Sequence, residues 1–486
     1  MTRAVSRSRV LVLLFAAGVL ISGFTILRGV EPFDEGLTLQ AARRVAGGQL
    51  PYSDFLWAYG PVHPYLLAGL FKVLGTSLLW WRIIRVLVDA AVAVAVFAIV
   101  RREAPAPFAF AAWLTAALAM AQPTGANPFA PALLFTLLAI LVACGEPSRR
   151  RWIGAGALAA VVAAWRLDFG VYAAAATIAA AIAAAPRAAL RAAFTVAAAC
   201  GVLTALVYLP FVIHDGPADT WRALIGNSLR EGRYWHLPFP LGYDGSLRLW
   251  PPGSLAHDAK DVLGFYVPLL LVIGVALIAV PMVIRRVRAS VSPPIAGLTV
   301  LALGFTLYLY SRTDEFHATP LIVTLAALIP LVAVRVPRPV AAPLASILLL
   351  LFGYGALNRL SALFSPPALS AIHVAVADGV EAPPSQARAI EAMVAAVHRR
   401  VPSGQPIYAV TRRSDLVRVN DPLIYVLTER DNPTGQDFGL QTGAPAQGRI
   451  VAALELARPK VIVRWTDPIS TVREPNARGR PSYIHT

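Results

Sequence analysis

The sequence predicts an all-α polytopic membrane protein of about eleven transmembrane helices, followed by a small C-terminal α/β domain. Three observations support this fold class. Of the 486 residues, 57% are hydrophobic and only 14% are charged, against roughly 25% charged residues in a typical soluble domain. The mean hydropathy is +0.62. Apolar runs long enough to cross a bilayer recur up to about residue 357, where the composition becomes mixed.

The apolar runs predict the individual spans. They lie near 10–28, 78–100, 105–121, 128–144, 152–166, 168–185, 191–213, 262–284, 293–310, 317–334 and 340–357. With a cytoplasmic N-terminus, every connection on the cytoplasmic side is arginine-rich, as the positive-inside rule requires. These connections are 101–102, 149–151, 187–191, 285–288 and 335–338. We therefore predict a multi-pass protein of the plasma or inner membrane with an extracytoplasmic C-terminal domain.

Charge and cysteine content exclude several functional classes. The net charge of +16 comes mostly from arginines that orient helices, so we predict no nucleic-acid binding. Cys144 and Cys200 lie in apolar runs, and neither a disulfide nor a metal site is predicted. No glycine-rich phosphate loop and no Gly-x-Ser-x-Gly motif occurs, which argues against an ATP-driven reaction and a serine hydrolase.

The predicted topology divides the chain into a membrane domain, 1–357, and an extracytoplasmic domain, 358–486. Two outer loops of the membrane domain are long, namely 29–77 and 214–261. The tail contains helix-like stretches at 384–401 and 446–456 and short β-rich runs at 407–410 and 461–463, separated by turn residues, which is typical of an α/β domain. Aromatic residues in the loop 214–261 could stack on sugar rings or anchor at the interface.

Two short helices are predicted in the first outer loop. One runs from Asp34, which would cap it, to about Ala46, and glycines end it. The second, from Pro64 to Leu74, is amphipathic and too short to span, so we expect it in the membrane interface.

Two adjacent carboxylates, Asp34 and Glu35, lie where this loop begins. Acidic groups beside low-dielectric surroundings are costly, which indicates that they have a function. In the functional interpretation, one acid is a general base for an incoming hydroxyl and its neighbour positions the acceptor or a cation. In the structural interpretation, they cap a helix and interact favourably with its first turn. The pattern supports both interpretations equally.

Cationic residues recur at the predicted outer ends of the helices. Arg82 begins the second span, and Arg166 lies beside Asp168 in the turn between the fifth and sixth spans. Arg312 and His317 lie in the turn between the ninth and tenth spans. The planar guanidinium fork binds phosphate oxygens in pairs, so these residues are candidates for an anion site. The alternative for each is surface charge or snorkelling.

Several motifs in order resemble a known family. In the first hundred residues they are Asp34-Glu35-Gly36, Gly47-x-x-x-Pro51-Tyr52-x-Asp54-Phe55, Gly60-Pro61 and Arg82. Later come Trp165-Arg166-Leu167-Asp168-Phe169-Gly170, Arg312-x-Asp314-x-x-His317-x-x-Pro320 and the tail segment 425–434. The set resembles membrane glycosyltransferases of the GT-C fold. The nearest members are protein mannosyltransferases that use dolichyl-phosphate mannose, the lipid A aminoarabinose transferase and rhizobial lipopolysaccharide transferases.

The resemblance implies an inverting hexosyl- or pentosyltransferase that uses a polyprenyl-phosphate sugar as donor. The acceptor is a hydroxyl of an extracytoplasmic glycan, lipid or protein. Asp34 is expected to be the general base, with Glu35 beside it. The residues expected to bind the donor phosphate are Arg82, Arg166, Arg312 and His317. Those expected to position the substrate are Asp54, Tyr59, His63 and Asp168. Members of the family differ in their use of a divalent metal, and no ligand set is evident here, so we predict no required cofactor.

Two other functions stay open at this level. A lipid-linked sugar flippase or transporter would need charged groups near the membrane midplane, where Asp89 is the clear candidate. However, Arg85 shares a helix face with Asp89, which predicts a structural ion pair. A non-catalytic receptor would use the tail for binding.

Overall fold

The computed structural model describes residues 2–227, 252–284, 292–364, 366–410, 420–437 and 444–464, two short strands near the C-terminus and a few isolated positions. The first nine helices are α1 (Thr2–Gly23), α2 (Asp34–Ala46), α3 (Val62–Leu74), α4 (Leu79–Val100), α5 (Ala106–Met120), α6 (Phe129–Ala143), α7 (Arg149–Trp165), α8 (Leu167–Ala184) and α9 (Ala189–Asp215). The later helices are α10 (Pro217–Trp221), α11 (Pro252–Ile284), α12 (Pro293–Ser311), α13 (Glu315–Ala333), α14 (Arg338–Phe364), α15 (Pro384–Arg400), α16 (Leu423–Thr428) and α17 (Ala444–Ala457).

A helix lies at each of the eleven positions predicted for a span, and the chain is a membrane protein. Seven segments of the described chain are long and apolar enough to cross a bilayer. They are Leu79–Val100, Leu167–Ala184, Pro186–Asp215, Ser254–Pro281, Pro293–Ser311, Glu315–Ala333 and Arg338–Phe364. The number eleven and the orientation stay predictions, and the predicted inner connection 285–288 lies outside the described residues. The short helices α2 and α3 lie where they were predicted.

Small residues let the helices pack closely. A side chain added at Gly156 of α7 would meet the Val196 carbonyl oxygen of α9 at 2.6 Å. Both helices are rich in alanine, which permits the same close approach along their length. In a bilayer the helices gain no hydrophobic free energy from one another, so such contacts between backbones drive their association.

The tail contains the predicted helices and strands. Its strands are β1 (Ser370–Ala371), β2 (Glu381–Ala382), β3 (Tyr408–Val410), β4 (Ile462–Arg464), β5 (Arg473–Pro475) and β6 (Pro481–Tyr483). The strands β3 and β4 pair in parallel, whereas β1–β2 and β5–β6 are antiparallel. Helix α15 begins at Pro384, as predicted. Whether the tail is a separate domain stays a prediction.

The tail packs directly on the first outer loop. Buried tail residues such as Val376 and Leu423 belong to the same apolar cluster as Trp81 and Leu39 of the membrane region. Gly36 of α2 lies so close to the Leu423 backbone nitrogen that a Cβ there would collide with it. Helix α2 is therefore held between the membrane helices and the tail.

Candidate functional site

The first helix of the outer loop is capped by a residue that we did not predict. Glu31 accepts hydrogen bonds from the Glu35 backbone N–H at 2.9 Å and from the Phe33 N–H at 3.4 Å. Asp34 is the first residue of α2 and makes no capping hydrogen bond, so the predicted N-cap role was wrong. Within the described chain the Asp34 carboxylate accepts no hydrogen bond at all. Capping by Glu31 leaves Asp34 available for another role.

Glu35 lies in a different environment from its neighbour. Its carboxylate forms a two-point ion pair with Arg82, with Nε–Oε1 at 2.6 Å and Nη2–Oε2 at 2.8 Å. Both side chains are fully buried. Arg82 also donates to the carbonyls of Ile26 and Gly29. Since these contacts occupy the guanidinium in the interior, we leave Arg82 out of the proposed phosphate group.

Arg166 is fixed in the turn between α7 and α8. Its Nε and Nη2 donate to Asp168 at 3.0 and 2.6 Å. Its Nη1 donates to the Asn127 side-chain oxygen at 2.9 Å and to the Tyr308 hydroxyl at 3.2 Å. The guanidinium also lies over the ring of Tyr59, 5.3 Å from its centre. Arg166 therefore contributes a fixed positive charge, with most of its donors already used.

The turn before α13 holds a second cationic cluster. Asp314 accepts a hydrogen bond from Arg312 Nε at 2.6 Å and two from His317, through its backbone N–H at 2.8 Å and its ring Nδ1 at 2.7 Å. Burial alone would raise the pKa of Asp314, but the His317 hydrogen bonds and the Arg312 charge lower it to about 2. The ionised Asp314 carboxylate therefore orients both cationic side chains and leaves His317 Nε2 to face another partner.

These two clusters converge electrostatically on Asp34. Burial raises the pKa of Asp34, while the charges of His317, Arg312 and, more weakly, Arg166 oppose that increase. The His317 ring stacks on Tyr308, with centres 4.7 Å apart, and so joins the two clusters physically. The half-buried Asp34 carboxylate thus faces an arc of positive charge at the start of α2.

Glu31 behaves differently from Asp34. Burial and the nearby Asp34 charge raise the pKa of Glu31 to about 8. Glu31 is therefore mostly neutral at pH 7 and adds little negative charge to the site.

Two predicted positioning residues lie away from this arc. Asp54 accepts a hydrogen bond from the Leu50 N–H at 2.7 Å and lines an open cleft of about 270 Å³ with Arg449 of the tail. His63 is fully buried, and its nearest ring is that of Trp81, 4.1 Å away between centres. Desolvation lowers the pKa of His63 to about 3, so the ring is neutral.

His63 has further aromatic neighbours and lacks a polar partner. Trp57 and Trp165 complete the wall around it, and neither ring nitrogen has a hydrogen-bond partner in the described chain. Its place is in the packing between the first loop and α7.

Two further interactions were missed by the sequence analysis. Arg44, on the second half of α2, forms a buried two-point ion pair with Asp437 of the tail, at 2.7 and 3.1 Å. Neighbouring Arg43 donates to the carbonyls of Tyr425 and Arg430. The tail segment that carries the family-like motif therefore clamps α2. The adjacent arginines in the second half of the predicted helix 34–46 were the available signal, and the sequence analysis did not use them.

Asn127 and Tyr308 were also missed. They lie 39 and 142 positions from Arg166 along the chain, and no spacing pattern links them to it. Asn127 shares the turn before α6 with Gln122 and Thr124, so the sequence did not single it out.

The fold is that of the GT-C class, as the resemblance predicted. A crystal structure of ArnT from Cupriavidus metallidurans bound to undecaprenyl phosphate matches this chain with a TM-score of 0.50. The match covers 93% of this chain and 89% of that chain at 13% sequence identity. No family model matches the sequence, and no curated protein matches it significantly. At this identity the similarity establishes the fold.

Proposed function

We propose that this protein is an inverting glycosyltransferase that moves a sugar from a polyprenyl-phosphate donor to an extracytoplasmic acceptor hydroxyl. The observation that supports it best is the free, half-buried carboxylate of Asp34 facing Arg312 and His317. The GT-C fold is consistent with such a donor, because the ArnT structure with this fold holds undecaprenyl phosphate.

In the proposed reaction Asp34 accepts the proton of the acceptor hydroxyl. The acceptor oxygen attacks the anomeric carbon from the face opposite the phosphate, and the bond between that carbon and the phosphate oxygen breaks. The polyprenyl phosphate leaves with the bonding electrons. A carboxylate with a raised pKa is a stronger base than an ordinary aspartate, which suits proton abstraction.

The charge that develops on the leaving phosphate needs fixed cations near it. Arg312 and His317 would supply N–H donors to the phosphate oxygens, held in place by Asp314. Arg166 would contribute its positive field, and Asp168 and Tyr59 would keep it oriented. A donor phosphate stabilised in this way is a good leaving group without a general acid.

This assignment gives Glu35, Arg82 and His63 structural roles, as their burial indicates. It leaves the sugar, hexose or pentose, and the acceptor class to experiment. No specific observation favours the transporter alternative, because Asp89 forms a 2.6 Å ion pair with Arg85 and accepts a hydrogen bond from Ser22.

The test is sugar transfer by the purified full-length protein in lipid. Radiolabelled polyprenyl-phosphate mannose and aminoarabinose would be offered with membrane extract as acceptor. We expect label in an acceptor with the wild type and about 10²–10⁴-fold less with Asp34→Asn, the usual contribution of a general base.

The matched control is Asp378→Asn, the same substitution at an exposed turn of the tail. It should transfer at the wild-type rate. Equal turnover by Asp34→Asn and wild type would refute the base assignment. No transfer from any lipid-linked donor, with folded wild-type protein, would refute the proposed function.

A further inference from the structure

Among the described residues, a pair of arginines at the predicted outer ends of α1 and α14 has no counter-ion. Arg28 follows α1, and Arg359 lies five residues before the end of α14. Among the described residues their hydrogen bonds go to neutral groups, from Arg28 to the Ala362 carbonyl at 2.9 Å and from Arg359 to the Thr25 hydroxyl at 3.3 Å. In the described part of the chain neither guanidinium forms an ion pair.

The two charges also act on each other. Arg28 lies within electrostatic range of Arg359, and their like charges repel. The Arg359 Nε is buried and has no acceptor within the part of the chain that the structure describes. Leaving a buried charged donor unpaired is unfavourable, so the site would be stabilised by an anion that is not part of this chain.

Nearby carboxylates do not supply that anion. Asp89 is within electrostatic range of Arg359, but it is already paired with Arg85 deeper in the helices. The backbone of Glu381 bonds to the segment after α1, yet its carboxylate forms no ion pair with Arg28. The local excess of positive charge is therefore built into the fold.

The surroundings of the pair are apolar and open. Large hydrophobic side chains in the turn after α1 and in the last turns of α14 are 40–68% exposed, namely Phe24, Leu27, Leu360, Leu363 and Phe364. Arg359 lies about 7.5 Å along the axis from the end of α14, at 1.5 Å per residue. The predicted span ends at residue 357, so we expect Arg359 just beyond it, in the headgroup layer.

We propose that this seam between α1 and α14 binds the phosphate headgroup of an anionic phospholipid of the bilayer. The two guanidinium groups would hold the phosphate oxygens, and the acyl chains would cover the exposed apolar residues. Arginine suits this role because its planar fork donates two parallel hydrogen bonds to a phosphate. The site is separate from Asp34 and does not depend on the proposed transferase activity.

The test uses the full-length protein in nanodiscs of phosphatidylcholine mixed with phosphatidylglycerol, with retained lipid identified by native mass spectrometry. The wild type should retain phosphatidylglycerol over phosphatidylcholine. The double variant Arg28→Gln/Arg359→Gln should lose about tenfold or more of that preference, as two charge-assisted hydrogen bonds would give. Lys72→Gln, which removes an exposed cation of the interfacial helix α3, is the matched control and should retain it.

Three outcomes would overturn the proposal. They are no preference in the wild type, an unchanged preference in the double variant, and displacement of phosphatidylglycerol by equimolar undecaprenyl phosphate, which would assign the pair to the donor lipid. If the double variant does not fold, Arg28→Lys and Arg359→Lys replace it. These single variants keep the charge and lose the fork, and each should weaken the preference.

Discussion

Asp34 and Glu35 are adjacent in the sequence, but the structure places their carboxylates in contrasting environments. Glu35 is fully buried against Arg82, and both oxygens of its carboxylate are occupied by a two-point ion pair. Asp34 is half-buried, accepts no hydrogen bond in the described chain, and faces cations at a distance. The helix turns successive side chains by about 100°, so one acid faces the interior and the other faces the cationic arc.

In the first outer loop, some charged residues anchor helix α2, whereas Asp34 is available for chemistry. Two buried arginine–carboxylate pairs, Arg82–Glu35 and Arg44–Asp437, hold α2 from opposite sides. A buried pair is costly to form and very costly to break, so it specifies position rather than adding net stability. The start of α2 is thereby fixed, and Asp34 can remain unpaired without moving away from the cationic arc.

The largest expected effect is on turnover in Asp34→Asn. We expect a loss of about 10²–10⁴-fold in kcat with donor binding and the thermal unfolding midpoint preserved, since no contact of the fold depends on this carboxylate. Transfer kinetics together with thermal unfolding in detergent test this. A large drop in the unfolding midpoint would mean that Asp34 anchors the loop as Glu35 does.

Glu35→Gln should show the reverse pattern. It leaves the buried Arg82 charge without its anion, and the expected loss is about 3–5 kcal/mol in the free energy of unfolding. Thermal or denaturant unfolding of the purified variant measures this. If the variant were as stable as the wild type but inactive, Glu35 would belong to the catalytic group instead.

The contacts between the tail and α2 predict that substitutions at two tail aspartates change the free energy of unfolding by different amounts. Asp437→Ala breaks the buried pair with Arg44 and should cost about 3–5 kcal/mol. Asp431→Ala removes a 3.4 Å contact with Arg43 from a side chain that is 71% exposed, and should cost less than about 1 kcal/mol. Denaturant unfolding of the two variants, measured in parallel, tests this difference. Equal effects would mean that the tail does not hold α2 through Arg44.

Close packing of the tail on α2 can be tested with two glycines. Gly36→Ala introduces a Cβ that collides with the Leu423 backbone, and we expect a loss of about 1–3 kcal/mol from overpacking. Gly69→Ala lies in the neighbouring helix α3 with nothing near its added Cβ. It should be neutral or stabilise by about 0.5–1 kcal/mol through helix propensity. A neutral Gly36→Ala would show that the tail can move away from α2.

The smallest expected effect is a shift in the pH profile. Because burial raises the pKa of Asp34, kcat/KM should fall as the pH decreases through a value above that of an ordinary aspartate. Arg312→Gln removes a cation that lowers this pKa, so the acidic limb should move to higher pH. Arg335→Gln, which breaks a pair with Glu103 far from the site, should leave the limb in place. An unchanged acidic limb in Arg312→Gln would mean that the Arg312 charge does not act on the pKa of Asp34.

Much of this architecture could be read from the sequence. Hydropathy and arginine placement predicted the positions of the long helices, because the bilayer sets their length and composition. The Arg85–Asp89 pair also followed from its helical spacing and is present at 2.6 Å. The helices and strands of the tail were predicted from local periodicity.

The candidate site was only partly readable. Asp34, Arg166, Arg312 and His317 were found because they are ionisable residues at the predicted outer ends of helices. The capping role of Glu31 was missed because a cap four residues ahead of its donor depends on the entry path of the chain. Asn127 and Tyr308 were missed because they reach Arg166 only through the packing of separate helices.

The sequence by itself determined the membrane class and the helix positions, and it placed two acids at the start of the first outer loop. Only the tertiary structure decided which acid is an anchor and which is free. Local sequence places both carboxylates on the first turn of α2 and cannot distinguish them. The difference arises from Arg82 on one side and the cationic turns on the other, because long-range contacts set the desolvation and the charge that each carboxylate experiences.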